Sequence, residues 1–354
     1  MKRSRIRDMG IRVGSLPAGP LDRITDVPGV TVGHSTVTDA LHRTGVTVVI
    51  PAPGNLYTEK LTAAVYVING FGKTVGTVQI EELGCLETPI ALTGTLNTAK
   101  VADALTGYML GVCARDGVAC RSVNPVVGET NDSKLSLGSD RPVGEAQLAE
   151  AISKASADFE EGDVGAGAGT VCFGLKGGIG SASRTLEIEG KRYTVGALLQ
   201  TNFGSLPDLT VCGIPAGKRI EKIMRSESAP DPAGDKGSCM IVIGTDIPLS
   251  PHSLRRVLKR AAVGLARAGS YLSNGSGDVV IGFTTANRIP SGGPSIRKTE
   301  EISQDRISAV FRAAAEAVEE SVYNSLAAAL PVAPRGGFSG YRSLSEFPEV
   351  LKTE

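Results

Sequence analysis

Apolar residues near the N-terminus come in short, β-branched runs: VTVGHSTV over Val30–Val37, GVTVVIPAP from Gly45 and AAVYVINGFG from Ala63. Gly, Pro or Asn bounds each run, which predicts strands. The pattern then changes period. LNTAKVADALTGYMLGVCAR (Leu96–Arg115) repeats its apolar positions at helical spacing, with Asn97 or Thr95 as N-cap, and GEAQLAEAISKA predicts a second helix. RYTVGALLQTNFG (Arg192–Gly204) and VVIGFTTAN (Val279–Asn287) read as core strands. SPHSLRRVLKRAAVGLARAGS predicts one helix, capped by Ser250, with Pro251 in its first turn and Gly269 as its stop. A last helix over roughly Asp305–Leu330 carries an apolar stripe at Ile307, Val310, Phe311, Ala314, Val318 and Val322. Strands and helices alternate without strict βαβ repeats, so an α+β sandwich with helices covering sheets is expected.

One segment interrupts this order. RSESAPDPAGDKG (Arg225–Gly237) is polar and rich in Ser, Pro and Gly, the composition of a flexible linker. At Ser238 the chain turns abruptly into the apolar run SCMIVIGT. A serine at the head of a strand is ordinary; a serine directly behind a flexible, glycine-ended segment is also where a cut would leave it as a new N-terminus. The residues alone leave both readings open.

Composition narrows the function classes. Lys+Arg and Asp+Glu are both 37 among 354 residues, which argues against a polyanion partner such as nucleic acid. Six isolated cysteines (Cys85, Cys113, Cys120, Cys172, Cys212, Cys239) read as buried small hydrophobes in a reducing compartment. The basic N-terminus MKRSRIRDMGIRVG lacks the apolar core of a signal peptide, and no stretch approaches a membrane span. A soluble cytoplasmic protein, without metal or cofactor, is the expectation.

The glycine-rich DVGAGAGTVCFGLKGGIGSASR (Asp163–Arg184) lacks the GK[ST] of a phosphate loop, so close strand packing and tight hairpins are expected instead. The scattered histidines His34, His42 and His252 do not have zinc-ligand spacing, and no GxSxG elbow is present. If Ser238 is a nucleophile, its base is therefore something other than imidazole. Cleavage of the Gly237–Ser238 bond would supply one, since an α-amine with a pKa of about 7.7–8.0 would then stand on the same residue as Oγ. In LSNGSGDVVIGF, Ser276 and Asp278 share a face if extended, a hydroxyl and a carboxylate able to form a proton relay; as part of a plain turn they would do nothing of the kind. Cys239 follows Ser238 and alternates to the opposite face, which marks it as structural.

Taken together, ITDVPGVTVGHST (Ile24–Thr36), NPVVGETND (Asn124–Asp132), GLKGGIGSASR, LLQTNFG, GSCMIVIGTD and NGSGD resemble, in matching order, the DmpA-type aminopeptidases, the L-aminopeptidase D-amidase/esterases and β-peptidyl aminopeptidases. That resemblance implies an αββα four-layer sandwich like that of N-terminal-nucleophile hydrolases, in one catalytic domain. It implies a self-cut at Gly237–Ser238 giving chains 1–237 and 238–354, and processed protomers assembled as a homo-oligomer. By the same resemblance Ser238 is the nucleophile, Ser276 and Asp278 the relay, and Asn202 the oxyanion donor. Glu129 would hold the substrate's free amine, with Asn131 beside it. The substrates implied are small peptides, amino-acid amides or esters. Two departures stand out: Asp278 occupies a position where Glu is frequent, and no Tyr follows Glu129, where Asn131, Ser133 and Lys134 stand instead. An acyltransferase of the ornithine acetyltransferase type and a non-cleaving binding protein of the same fold are the alternatives.

Overall fold

A computed structural model describes residues 3–225 and 237–352. The linker expected over 225–237 lies, from 226 to 236, outside the described residues. Up to that point the elements are β1 (Thr31–Thr38), β2 (Arg43–Ile50), β3 (Glu59–Gly70), α1 (Thr77–Leu83), β4 (Cys85–Leu86), β5 (Ile90–Gly94), α2 (Thr98–Arg115) and β6 (Val126–Thr130). They continue as α3 (Glu145–Ser153), β7 (Val171–Cys172), β8 (Leu175–Lys176), β9 (Ile179–Ile188), β10 (Lys191–Asn202) and α4 (Ala216–Arg225). Beyond it come β11 (Ser238–Thr245), α5 (Pro251–Leu258), α6 (Ala261–Arg267), β12 (Gly277–Pro290) and α7 (Ile307–Ala328).

Two sheets stack face to face. Among the described residues one has the order β1-β2-β5-β6 and the other β4-β3-β12-β11-β10-β9. Alternation divides each strand between two cores. Val49, Ile90, Leu92 and Val126 of the smaller sheet meet Leu198, Met240, Val242 and Ile281 of the larger one in the space between the sheets. The opposite faces bury Val46, Val48 and Val127 under α2 and α3, and Ala197, Leu199, Ile241, Ile243 and Val280 under α5, α6 and α7. Helix, sheet, sheet, helix is the αββα sandwich expected from the sequence. The paired strands β11 and β12 are buried on both faces, which is why their sequences are nearly unbroken apolar runs.

Several local expectations need correction. The helix expected from Pro251 to Gly269 is two: hydrogen bonds from Arg260 N–H to Val257 and from Val263 N–H to Arg260 tighten the chain to a three-residue spacing between α5 and α6. The break re-aims α6 so that Gly264 packs against the α7 backbone, where a Cβ would meet Ala315 O at 2.7 Å. Ser250 does cap α5, accepting from Ser253 N–H at 3.2 Å. Neither Asn97 nor Thr95 caps α2 through its side chain; the Asn97 amide oxygen accepts from Val143 N–H at 3.3 Å and ties α2 to the approach of α3. The glycine-rich stretch forms the β7–β8 hairpin, turning through Phe173 (φ 50°) and Gly174 (φ 70°), and then β9.

Candidate active site

The ends of three neighbouring strands build the site. In the larger sheet Asn202, the last residue of β10, pairs across the antiparallel ladder with Ser238, the first of β11. Ser238 pairs in turn with Gly277, the first residue of parallel β12. Met240 and Val242 face the space between the sheets and Cys239 the helices, so alternation places the Ser238 side chain between the sheets. Leu198 and Leu199 fix the parity of β10 in the same way, and Asn202 shares that face. Opposed residues on one face of an antiparallel pair have Cβ atoms about 4.5–5.5 Å apart, within reach of one small substrate group. Ser238 and Asn202 are both buried.

The Asn202 amide has a fixed sense. Its Oδ1 accepts the Val171 N–H at 3.0 Å, which leaves Nδ2 as the donating end. The carbonyl of Gly237, on the bond ahead of Ser238, accepts the Gly277 N–H at 3.2 Å. Ser276 and Asp278 flank Gly277: the Ser276 hydroxyl donates to Asp278 Oδ1 at 2.9 Å, with both side chains buried. Asp278 lies opposite Cys239 in the ladder, on the helix-facing side. There burial, and secondarily the Asp278 charge, push the Cys239 thiol well above its ordinary pKa, so it is an inert thiol beside the site.

The smaller sheet supplies the acid. Glu129, near the end of β6, is 4% exposed, and its Oε1 accepts the Lys73 N–H at 3.0 Å and lies 3.3 Å from Lys73 Nζ. Gly72 connects the two sheets here. A Cβ placed on it would lie 3.3 Å from Glu129 Oε1 and 3.4 Å from Gly277 Cα, so only one glycine separates the carboxylate from the strand end that pairs with Ser238. Asn131 does not join the group: it is exposed, and its Oδ1 accepts Ser133 N–H at 3.0 Å in an Asx turn. Asp132, next to it, is buried and takes the Thr44 hydroxyl at 2.5 Å; burial pushes its carboxyl up to about 6.

A family model described as peptidase family S58 matches residues 22–339. The chain belongs to that family. Among S58 relatives, the β-peptidyl aminopeptidase BapA of Sphingosinicella microcystinivorans is 37% identical over 98% of this chain and 92% of its own. The solved structure of the PH0078 protein from Pyrococcus horikoshii is 43% identical with a TM-score of 0.90, covering 98% of both chains. The L-aminopeptidase D-Ala-esterase/amidase of Ochrobactrum anthropi, described as a variant of the N-terminal-nucleophile hydrolase fold, is 31% identical, also with a TM-score of 0.90 over 98% of both chains. This S58 chain is accordingly a hydrolase, a serine-type aminopeptidase on an N-terminal-nucleophile hydrolase fold, and its relatives do not favour the acyltransferase alternative.

Sequence reasoning passed over three residues that the fold brings to this S58 site. Lys73 supplies the cation now on Glu129, and Gly72 the gap beside it. Gln200, two residues before Asn202 on the same face, donates from Nε2 to Thr93 O at 3.1 Å and to Ala166 O at 2.9 Å, tying the sheets together just behind the site. A glutamine inside the apolar run ALLQTN was the visible signal for the last; exposed-looking FGK carried none for the other two.

Proposed function

We propose that this chain, one catalytic domain, cuts itself between Gly237 and Ser238 and then removes N-terminal residues from small peptides, amino-acid amides or esters. In the cut, Ser238 Oγ attacks the Gly237 carbonyl carbon and the C–N bond breaks. That step frees the Ser238 α-amine and leaves the Gly237 acyl group as an ester on Oγ, which water hydrolyses to the Gly237 carboxylate and a free Ser238 hydroxyl. The hydrogen bond from Gly277 N–H to the Gly237 oxygen supports this, because that donor already sits where negative charge develops.

In the processed enzyme the substrate's ammonium binds Glu129, exchanging with the Lys73 ammonium. Ser238 Oγ attacks the first carbonyl while the α-amine takes its proton, and the Asn202 Nδ2 donates to the oxyanion. The amine then protonates the leaving nitrogen or oxygen, and water repeats the sequence on the acyl-enzyme. Ser276 and Asp278, flanking Gly277, orient the amine and hold its charge. The observation that carries this reading is the facing pair Asn202–Ser238 with Glu129 one glycine away. Relatives named β-peptidyl aminopeptidases lead us to include N-terminal β-residues among the substrates.

We place the processed protomers in the cytoplasm as a homo-oligomer, with neither nucleic acid nor membrane as partner. The balanced charge argues against a nucleic-acid partner, the isolated cysteines suit a reducing compartment, and among the described residues no helix is long and apolar enough to cross a membrane.

Ser238→Ala should run as one unprocessed band on a denaturing gel and hydrolyse none of a panel of L-, D- and β-homo-aminoacyl p-nitroanilides. Processing or turnover retained in that variant would sink the proposal.

A further inference from the structure

Lys176, on β8, is fully buried. Taking an ammonium out of water costs several kcal/mol unless its donors are satisfied. Nζ donates to three backbone carbonyls: Gly167 at 3.0 Å, Thr170 at 2.8 Å and Gly177 at 2.6 Å. Burial still pushes its pKa down to about 7, opposed by the charge of Asp163. A side chain needed only to fill space would be apolar here, since replacing buried ionic groups with hydrophobes is often neutral or stabilising. The charge calls for its own explanation.

One of the three carbonyls leads to the active site. The Thr170 oxygen, which also accepts Gly177 N–H at 3.1 Å, belongs to the same planar peptide unit as the Val171 N–H. That N–H is the one held by Asn202 Oδ1 at 3.0 Å. The path is therefore Lys176 Nζ, the Thr170–Val171 peptide, then the Asn202 amide, with two hydrogen bonds and no gap. Hydrogen bonds in series polarise one another. A cation on the Thr170 oxygen makes Val171 N–H a stronger donor, which draws electron density to Oδ1 and makes Nδ2–H the better donor to developing negative charge.

We propose that Lys176 is a positioning residue for the aminopeptidase reaction, its ammonium acting through the Thr170–Val171 peptide to lock and polarise the amide of Asn202. The proposal rests on the assignment of Asn202 as oxyanion donor. Polarisation matters most when the oxyanion forms, so the effect falls on kcat rather than KM.

A double-mutant cycle on an aminoacyl p-nitroanilide tests it, with Lys176→Met, Asn202→Ala and both together. Lys176→Met should lower kcat about 10- to 100-fold, below the loss typical of a direct oxyanion donor, with KM within about 2-fold. In the Asn202→Ala background the same change should cost less than about 2-fold, because its route is already gone. A loss as large in that background as in the wild type, or one carried by KM, overturns the proposal. If Asn202→Ala is costly while Lys176→Met is not, the relay alone fails; if Asn202→Ala itself leaves kcat unchanged, the oxyanion assignment fails first. Lys176→Gln, which keeps an N–H donor, replaces Met if the apolar side chain prevents folding.

Should neither variant fold, the wild type decides. Asp163, Cys172, Arg3 and Arg43 are the charged or titratable groups acting on Lys176. With only the protonated lysine active, kcat should fall as pH rises through about 7, and Asn202→Ala should lack that limb. A limb present in both, or in neither, overturns the proposal.

Discussion

Glu129 already holds a cation. Lys73 Nζ stands 3.3 Å from its Oε1, and the Lys73 N–H donates to the same oxygen. A carboxylate so placed is a ready receiver for a substrate ammonium, since the Lys73 side chain is more than half exposed and can exchange its contacts with Glu129 and the Thr95 hydroxyl for water. Glu129→Gln removes the charge and keeps the shape. It should raise KM for aminoacyl p-nitroanilides about 10- to 100-fold, the size of a lost charge-assisted hydrogen bond, and change kcat much less. A substrate lacking the free amine should show no such difference between the variant and the wild type. If both substrates respond alike, Glu129 is not the amine anchor. Gly72→Ala probes the same space from the other side: its methyl would sit 3.3 Å from the carboxylate and 3.4 Å from Gly277 Cα, and should lower kcat/KM for every substrate. Glu129 was legible from the GETND motif, whereas Gly72 was not, because its importance lies in what crosses it from another sheet.

The sandwich depends on backbones that meet without side chains between them. On β9, a Cβ at Gly180 would collide with the Ser321 carbonyl of α7 and lie 2.5 Å from Ser325 N. Gly180→Ala should therefore push α7 off β9 and cost about 1–3 kcal/mol, read as a lower midpoint in urea unfolding. An unchanged midpoint would show that the two elements have slack. This contact also shows how the sequence was readable at the level of elements. Runs such as SCMIVIGT and GALLQTN announced β11 and β10 because strands buried on both faces need apolar residues at every position. The same logic missed α1 and α4, short helices without a long apolar period, and joined α5 to α6, because the period runs on through a break made by backbone hydrogen bonds. Strand ends that carry Asn202, Ser238 and Gly277 were visible singly; their mutual register came only from the ladder.

At the scale of the molecule, the proposed cut falls between interleaved pieces. β11 and β12, beyond the Gly237–Ser238 bond, occupy the middle of the larger sheet, with β3 and β4 on one side and β10 and β9 on the other, all from before it. Buried charge also crosses the cut: Arg184 lies 2.6 Å from Glu320 and 3.3 Å from Glu316, and Arg7 lies 2.5 Å from Glu320. Separating the pieces would open two sheet seams and strand these charges, so a processed enzyme should elute as one particle in native buffer and separate only with cooperative unfolding. Glu320→Gln leaves Arg184 and Arg7 short of a partner and should lower that stability by about 3 kcal/mol. The pH dependence follows from opposite signs. Burial raises the Glu320 carboxyl, but the Arg7 hydrogen bond and the Arg184 charge win and hold it below the usual carboxylate range. Its contribution is thus present above the ordinary value and lost as pH falls through the folded one. Burial and neighbouring Glu320 push Asp22 up to about 7, so its contribution is full below its ordinary pKa and lost as pH rises through 7. In Glu320→Gln the Asp22 carboxyl loses its like-charged neighbour, and the fall in stability between about pH 4 and 7 should shrink. Two pieces that elute apart in native buffer, or an unaltered slope in the variant, would show that the charge cluster does not join them.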